Sequence, residues 1–270
     1  MRLLAASRRL LGRALSHAGE LDEAEFELEG ALATWRKLRD HRATAVTLSN
    51  IAFVAFRRGA YVKARKLNLD ALELLRGSDD RYCQLIKIEL ARAEYGLGNY
   101  TAALELSREV LPALEAEAAE GGLTCVILML NQCTFLLALD EFDEAAEVTR
   151  RALAAALDPK NPRPDLVPYI GGTLAKIVVL QPDGRGSDRR AERLERCAKL
   201  IGWNEAVCAL RGESDPDEAF EESSMIRREL GKIRAEALFA AGAELDHASA
   251  VKLMRSLVEA DAVAMATAQS

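Results

Sequence analysis

Small apolar, large apolar and turn-forming residues recur along the first part of the chain at fixed distances. Each copy of the pattern has a helix-like segment with a small residue near its middle, a turn residue, and a second helix-like segment that begins close to an alanine. The turn residues are Gly19, Gly59, Gly98 and Asp140, which lie 40, 39 and 42 residues apart. A fixed period of this length is typical of stacked supersecondary units. The pattern therefore predicts four consecutive helical hairpins within residues 1–157.

The residue type at each position of the repeat has a physical reason. Glycine ends a helix in a left-handed conformation at the lowest cost because it has no Cβ atom, and aspartate also tolerates this conformation. The large residues expected to wedge into the start of each second helix are Leu21, Tyr61, Tyr100 and Phe142. Small residues should let the paired helices approach to near the short end of roughly 8–10 Å. The facing pairs are Gly12 with Ala24, Ala52 with Ala64, and Ala91 with Ala103.

Composition supports an all-helical fold and limits the classes of function. Half of the residues are hydrophobic but only 5% are aromatic, and the abundant Ala, Leu, Glu and Arg residues are strong helix formers. A net charge of −6 argues against direct nucleic-acid binding by this chain. We expect no membrane segment, because no apolar run approaches the roughly 20 residues of a spanning helix. The five cysteines lack metal-ligand spacing, which favours reduced thiols in the cytoplasm.

The repeated pattern resembles the tetratricopeptide repeat over roughly residues 5–157. The Gly-x-Tyr-x-x-Ala turn favours this family over HEAT-type repeats, which also have a period of about 40 residues. The usual tetratricopeptide period is about 34 residues. The longer helices here, as in the stretch from Ala31 to Ala52, are similar to the tetratricopeptide-like regions of large bacterial signalling ATPases and MalT-like transcription regulators. The resemblance implies an all-α fold, a right-handed α-solenoid of antiparallel helix hairpins with a C-terminal helical cap.

The chain changes character after the fourth hairpin. Four prolines predict an extended loop over residues 158–168, because proline lacks the helix donor and restricts the residue before it. We expect a degenerate fifth hairpin and C-terminal capping helices in residues 169–258, and a frayed tail in residues 259–270. Segments in the capping region also resemble the C-terminal helices of the same bacterial regulators. There, Gly242 is predicted to end a helix and Asp246 to cap the next one.

No combination of residues suggests catalysis or a bound cofactor. His17, His41 and His247 are far apart in sequence. The chain contains no motif of a zinc protease, a serine hydrolase, a redox dithiol or a dinucleotide-binding loop. We therefore predict a non-enzymatic protein with no catalytic residue, no metal site and no cofactor.

The resemblance implies that the first helices of successive repeats line a concave groove. By register, the residues expected to face this groove are Arg9, Arg13, His17, Ser49, Phe53, Arg57, Arg92 and Tyr95. An arginine recurs about once per repeat beside an aromatic residue, and this combination suits an acidic or carboxylate-bearing ligand. In the alternative interpretation, the arginines only solvate helix ends and the aromatic side chains belong to the core between repeats.

Three functions remain open from the sequence. The first is a scaffold that binds a protein or peptide partner through the groove, in bacterial signalling or regulation. The second, implied by the MalT-like resemblance, is the sensor region of a transcription regulator that binds a small effector. The third is a self-assembly module, which would make the protein a homo-oligomer.

Replacing Ala64 with leucine should destabilise the protein by about 1–3 kcal/mol, because the larger side chain overpacks the contact between the two helices of the second hairpin. A lower urea midpoint at an unchanged m-value would show this loss of stability. A variant as stable as the unmodified chain would contradict the predicted close approach.

Overall fold

A computed structural model describes residues 1–77, 81–116, 118–181, 187–211 and 220–268 of the chain. Within these ranges the chain forms thirteen α-helices and no strands, which confirms the predicted all-α fold. The helices are α1 (Arg2–Ala18), α2 (Leu21–Lys37), α3 (His41–Arg57), α4 (Tyr61–Leu74), α5 (Arg81–Gly96), α6 (Tyr100–Ala116), α7 (Ala118–Ala138), α8 (Phe142–Ala156), α9 (Val167–Leu180), α10 (Ser187–Arg211), α11 (Phe220–Leu230), α12 (Lys232–Ala243) and α13 (His247–Ala268).

The helices form two compact units, Met1–Ala113 and Leu114–Ser270. The first unit contains the hairpins α1/α2 and α3/α4, together with α5 and most of α6. The second unit contains the hairpin α7/α8 and the helices that follow it. The predicted block of four repeats in residues 1–157 is therefore divided between the two units.

Every predicted turn residue adopts the left-handed backbone conformation. The φ angles are 91° at Gly19, 72° at Gly59, 80° at Gly98 and 59° at Asp140. After each turn residue, the next backbone N–H donates to a carbonyl in the last turn of the preceding helix, as from Glu20 to Leu15 at 3.0 Å. This bond closes a helix whose chain reverses direction through a left-handed residue. The turns of all four predicted hairpins are confirmed.

The two helices of a hairpin approach closely at small residues. A Cβ atom on Gly12 would lie 2.7 Å from Leu28 Cγ and 3.0 Å from the carbonyl oxygen of Ala24, so α1 and α2 pack at a distance that requires glycine. In the next hairpin, Ala52 of α3 and Ala64 of α4 belong to one buried cluster. These contacts confirm that small side chains set the spacing within the hairpins.

The large residue after the turn fills the space between neighbouring hairpins. The Tyr61 ring lies 5.5 Å from the Phe56 ring, measured between centroids. A Cβ atom on Gly96 would lie 2.5 Å from Tyr61 Cδ1, so the tyrosine of α4 packs directly against the α5 backbone. Tyr61 therefore connects the second hairpin to the third, as expected for a wedge residue.

The boundaries of the C-terminal elements differ from the prediction. Helix α8 ends at Ala156 and α9 begins at Val167, so Pro168 lies in the first turn of α9 and not in the predicted loop 158–168. Proline is tolerated there because the N–H groups of a first turn have no partner inside the helix. Helix α13 continues to Ala268, so the predicted tail of residues 259–270 starts within a helix. Parts of the predicted C-terminal regions, at 182–186, 212–219 and 269–270, lie outside the described residues.

Helices α9 to α13 pack around one another and against the fourth hairpin. Helix α9 contacts α8 and α10, and α13 contacts α8, α9 and α10. Asp246 caps α13 as predicted, because its carboxylate accepts a hydrogen bond from the Ser249 N–H at 2.7 Å. That residues 169–258 cap the repeats stays a prediction.

The prediction that Gly242 ends a helix is wrong. Gly242 is buried inside α12, and a Cβ atom there would lie 2.0 Å from the carbonyl oxygen of Lys199 in α10. On the facing helix, a Cβ atom on Gly202 would lie 2.0 Å from the carbonyl oxygen of Phe239. The two glycines therefore allow the backbones of α10 and α12 to touch, which no residue with a Cβ atom would permit.

Replacing Gly242 with alanine should lower the free energy of unfolding by about 1–3 kcal/mol, because α10 and α12 must separate to admit the methyl group. The urea midpoint of the variant measures this loss. Gly172→Ala is the matched control, because its Cβ atom would lie 3.3 Å from Asn204 Nδ2, a side-chain atom that can move aside. Equal effects of the two substitutions would contradict the proposed backbone contact.

Candidate functional site

Charge is segregated between the two helices of the first hairpin, and the first helices of the first unit carry few acids. Helices α1 and α3 contain no acidic residue, and the acids of α5 are Glu89 and Glu94. Glu94 is buried and is bound by Arg65 Nε at 2.6 Å. Helix α2, in contrast, carries Asp22, Glu23, Glu25, Glu27 and Glu29. A protein of net charge −6 thus places an excess of positive charge on its first helices.

The positively charged side chains of these helices meet around one aromatic ring. Helix α3 packs against both α1 and α5. We name as the first-helix face the surface of α1, α3 and α5 that carries Arg9, Arg13, His17, Phe53, Arg57, Glu89 and Arg92.

Phe53 lies at the centre of the first-helix face, with its ring buried. The His17 ring lies 4.9 Å from it between centroids. The guanidinium carbons of Arg92 and Arg57 lie 5.1 Å and 6.0 Å from the ring centroid. Arg57 also donates a hydrogen bond to the carbonyl oxygen of Ser16 at 3.3 Å. Because a cation within about 6 Å of an aromatic face is attracted to it, Phe53 holds polar groups from all three helices together.

His17 is held in its neutral form by its surroundings. Burial lowers its pKa, and the positive charges of Arg13, Arg57 and Arg92 lower it further. Since the ordinary histidine pKa is about 6.5, His17 is neutral at pH 7. It then offers one hydrogen-bond donor and one acceptor without adding to the positive charge.

Glu89 offsets part of the charge of Arg92. Arg92 Nη1 lies 3.4 Å from each carboxylate oxygen of Glu89, which is long for an ion pair. The Arg92 guanidinium also lies 4.8 Å from the Phe56 ring. Burial raises the pKa of Glu89, although Arg92 opposes this, and the side chain still keeps 27% of its exposure. Glu89 and Arg92 are both partly exposed, and Arg92 retains hydrogen-bond donors for an external anion because a guanidinium group has five.

Three arginines of the first-helix face form no ion pair with any carboxylate in the described part of the chain. Among the described residues, neither Arg9, Arg13 nor Arg57 forms an ion pair. Arg9 is half-buried, and this burial lowers its pKa, with Arg13 adding to the effect and Tyr82 opposing it. Positive charge that is partly buried and unpaired is costly. An anion bound at this face would therefore be stabilised.

Two predicted groove residues have surroundings that differ from those of the Phe53 cluster. Ser49 is buried in the packing of α3, where a ligand could not reach it without movement of the helix. The Tyr95 ring lies 5.4 Å from the Tyr100 ring, beside the third turn. The predicted residues that the structure brings together are His17, Phe53, Arg57 and Arg92, with Arg13 near enough to affect His17.

Sequence reasoning missed two features of this face. The pairing of Glu89 with Arg92 follows from a separation of three residues on a helix, which places the two side chains on one side. The second feature, the absence of acidic residues from α1 and α3, was also present in the sequence.

Other chemistry is limited in the described part of the chain. No three His, Cys, Asp or Glu side chains there are grouped to hold a metal ion. No described helix combines the length and apolar character needed to cross a membrane. Burial raises the pKa of Cys133 to about 12 and that of Cys125 to about 11, so both thiols stay protonated and unreactive.

Replacing Arg13 with glutamine should raise the pKa of His17, because one of the nearby positive charges is removed. The value should stay below that of an ordinary histidine, because burial is the larger cause and remains. An NMR titration of the His17 ring protons measures the change, with Arg36→Gln in α2 as the control.

The same lowered pKa of His17 sets the sign of its effect on stability. Folding lowers the pKa of His17, so its contribution to the free energy of unfolding is fully present above the ordinary histidine pKa. That contribution is lost as the pH falls through the pKa of His17 in the folded protein. A His17 that titrates at or above the ordinary value in the unmodified protein would contradict the described cluster.

Comparison with known proteins agrees with this architecture. Residues 3–77 match the sequence model of the tetratricopeptide repeat family. A comparison with curated proteins gave no match. Among solved structures, the chain is similar to the nearly identical TPR-like repeats of a kinesin-light-chain-type protein from Podosopora anserina. That likeness has a TM-score of 0.55 and 20% identity over 77% of this chain and 96% of the other.

Two further structures share the fold. One is a Signal Transduction ATPase with Numerous Domains from Pyrococcus horikoshii that has a tetratricopeptide repeat sensor. Its TM-score is 0.57 at 16% identity, over 89% of this chain and 39% of that one. The other is a Rap protein complexed with Competence and Sporulation Factor, with a TM-score of 0.57 at 15% identity, over 98% of this chain and 76% of that one. At these identities the likeness shows the fold alone. The sequence match to the tetratricopeptide repeat family therefore covers residues 3–77, and the solved structures show a tetratricopeptide-like fold for the chain.

Proposed function

We propose that this protein is a non-enzymatic scaffold whose first-helix face binds an acidic segment of a protein or peptide. The observation that carries the proposal is the cluster around Phe53, in which the guanidinium groups of Arg57 and Arg92 both contact one buried ring. Arginine is suited to carboxylates because its planar guanidinium group donates two parallel hydrogen bonds. The ring below holds each guanidinium in place, which reduces the entropy lost when a ligand binds.

The extent of the first-helix face favours a segment over a single carboxylate group. Three adjacent helices at a spacing of roughly 8–10 Å form a surface about 20 Å across. An extended chain advances by about 3.3 Å per residue, so about six residues would cross this surface. The unpaired arginines are distributed over that width, with Arg9 and Arg13 on α1 and Arg57 on α3.

The fold relatives support a role in recognition. The Rap protein was solved in complex with Competence and Sporulation Factor, and the Pyrococcus horikoshii protein carries its repeats as a sensor. We extend these roles to the present chain as a proposal for bacterial signalling or regulation. A cytoplasmic location belongs to the same proposal and is supported by the free thiols Cys83, Cys125, Cys133, Cys197 and Cys208.

A small acidic effector is the second candidate ligand. It is favoured by the compactness of the Phe53 cluster, in which the His17 ring and two guanidinium groups lie within 6.0 Å of one ring centroid. The same arginines would bind a carboxylate on a metabolite. The two ligand classes differ in size, and Arg9 makes no described contact with Phe53. Substitution of Arg9 should therefore lower the affinity for an extended segment more than the affinity for a compact effector.

The proposal predicts that a fluorescein-labelled oligoglutamate binds the protein and that an oligolysine of equal length does not, as measured by fluorescence anisotropy. Arg57→Gln and Arg92→Gln should each weaken binding about fivefold, equivalent to about 1 kcal/mol for a partly exposed charge pair. Glu89→Gln should strengthen binding, because it removes a competing carboxylate from Arg92. Affinity should fall as salt is added.

Arg76→Gln is the matched control, because this arginine is 78% exposed, outside the first-helix face, and pairs with Glu73. Its binding should equal that of the unmodified protein. Equal weakening by Arg76→Gln and Arg57→Gln would mean that binding follows net charge and would contradict the proposed site. If oligoglutamate does not bind but a carboxylate-bearing metabolite gives a saturable thermal shift, the segment proposal fails and the effector candidate replaces it.

A further inference from the structure

Arginines also gather around an aromatic ring at the end of α3 that is remote from Phe53. The guanidinium carbon of Arg42, in the first turn of α3, lies 4.6 Å from the centroid of the Tyr82 ring, in the first turn of α5. Burial lowers the pKa of Arg9, and Tyr82 lies close enough to oppose this effect. We name Arg9, Arg42 and Tyr82 the Tyr82 cluster. Like the Phe53 cluster, it brings together side chains of α1, α3 and α5.

Helix geometry places the two clusters on the same side of α3. Arg42 and Phe53 are eleven residues apart on this helix. At about 3.6 residues per turn, eleven residues complete about three turns and leave the two positions only about 20° apart around the helix axis. A rise of about 1.5 Å per residue separates them by about 16 Å along that axis. The two clusters are therefore separate positions along one line.

An extended segment can reach both clusters at once. Such a segment advances by about 3.3 Å per residue, so about five residues cover the distance between Arg42 and Phe53. A segment of the length proposed above, laid along α3, would place one acidic side chain at each cluster. The Arg42 guanidinium group has five N–H donors, which is more than a single contact can use, so it is able to bind a carboxylate as well as contact the ring.

The part of α3 between the clusters is uncharged. It carries no charged residue from Ala43 to Ile51, and Val46 and Asn50 are partly exposed there. The Nδ2 atom of Asn50 is buried and has no hydrogen-bond partner in the described part of the chain. A buried donor without an acceptor is costly, and a backbone carbonyl of a bound segment would satisfy it. This stretch therefore favours a segment whose middle residues are uncharged.

Helix α5 disfavours negative charge at the same level of the face. Glu89 is seven residues after Tyr82 and three before Arg92, so the three residues share one side of α5 and the carboxylate lies between the two clusters. The other charged residue between Tyr82 and Arg92 is Lys87, whose Nζ is bound by Glu109 of α6 at 2.7 Å. Glu89 would repel an acidic side chain in the middle of a bound segment, because like charges placed side by side at an interface are unfavourable.

We propose that the ligand of the first-helix face is a segment with two acidic positions about five residues apart and uncharged residues between them. This inference rests on the proposed function, to which it adds the spacing of the acids. One acidic side chain binds at the Phe53 cluster and the other at the Tyr82 cluster. A continuous run of acids is a poorer ligand, because its middle side chains meet Glu89 and the uncharged part of α3.

Two fluorescein-labelled peptides of identical composition and charge separate the effect of spacing from that of net charge. The first has two glutamates at each end, with serine, alanine and serine between them. The second has its four glutamates together in the centre. In fluorescence anisotropy with the unmodified protein, the first peptide should bind at least about fivefold more tightly, because it alone reaches both clusters.

Arg42→Gln tests the second position directly. It should weaken binding of the first peptide about fivefold and leave binding of the second nearly unchanged. Arg36→Gln is the matched control, since Arg36 is an exposed arginine in the last turn of α2, outside the first-helix face. Glu89→Gln should strengthen binding of the second peptide more than that of the first, because only the second places acids beside Glu89. Circular dichroism verifies that the variants are folded.

The comparison of the two peptides uses the unmodified protein, so it does not depend on any substitution. Equal binding of the two peptides would overturn the proposed spacing, and so would equal losses from Arg42→Gln and Arg36→Gln. In either case binding of oligoglutamate would leave the proposed function in place. If neither peptide nor oligoglutamate binds, the proposed function and the spacing are both contradicted.

Discussion

The close approach of two helices at small residues is the constraint on which the first unit depends. Gly12 lets α1 lie against Leu28 and the Ala24 backbone, and the left-handed glycine at each turn returns the chain directly antiparallel. Because each hairpin is built in the same way, residues about 40 positions apart occupy equivalent places. First helices therefore contact first helices, and their side chains share one face.

This arrangement places the recurring arginines of the first helices on one positively charged surface. Arginines that are far apart in sequence meet around Phe53, and the acids of the hairpin sit mainly on the second helix α2. Burial lowers the pKa of His17, and the positive charges of Arg13, Arg57 and Arg92 lower it further, which is one cost of bringing these groups together. An anionic partner would remove that cost.

Much of the fold could be predicted from sequence because its determinants are local. A turn glycine such as Gly59 and a cap such as Asp246 act through their own backbone, so residue type and spacing are sufficient. The prediction for Gly242 is wrong because a glycine that ends a helix and one that permits helix contact look alike in sequence; only the position of Lys199 distinguishes them. For the candidate site, register places Phe53 on the same helix face as its neighbours from α1 and α5, whereas the burial of Ser49 depends on how α3 is rotated against its neighbours.

The central claim is that the first-helix face binds acidic segments through particular arginines. The most direct measurement follows the side-chain N–H resonances of ¹⁵N-labelled arginine by NMR while oligoglutamate is added. The account predicts that the resonances of Arg13, Arg57 and Arg92 shift together and saturate, while those of Arg36 and Arg76 remain in place. Shifts spread evenly over all arginines, or confined to those outside α1, α3 and α5, would contradict it.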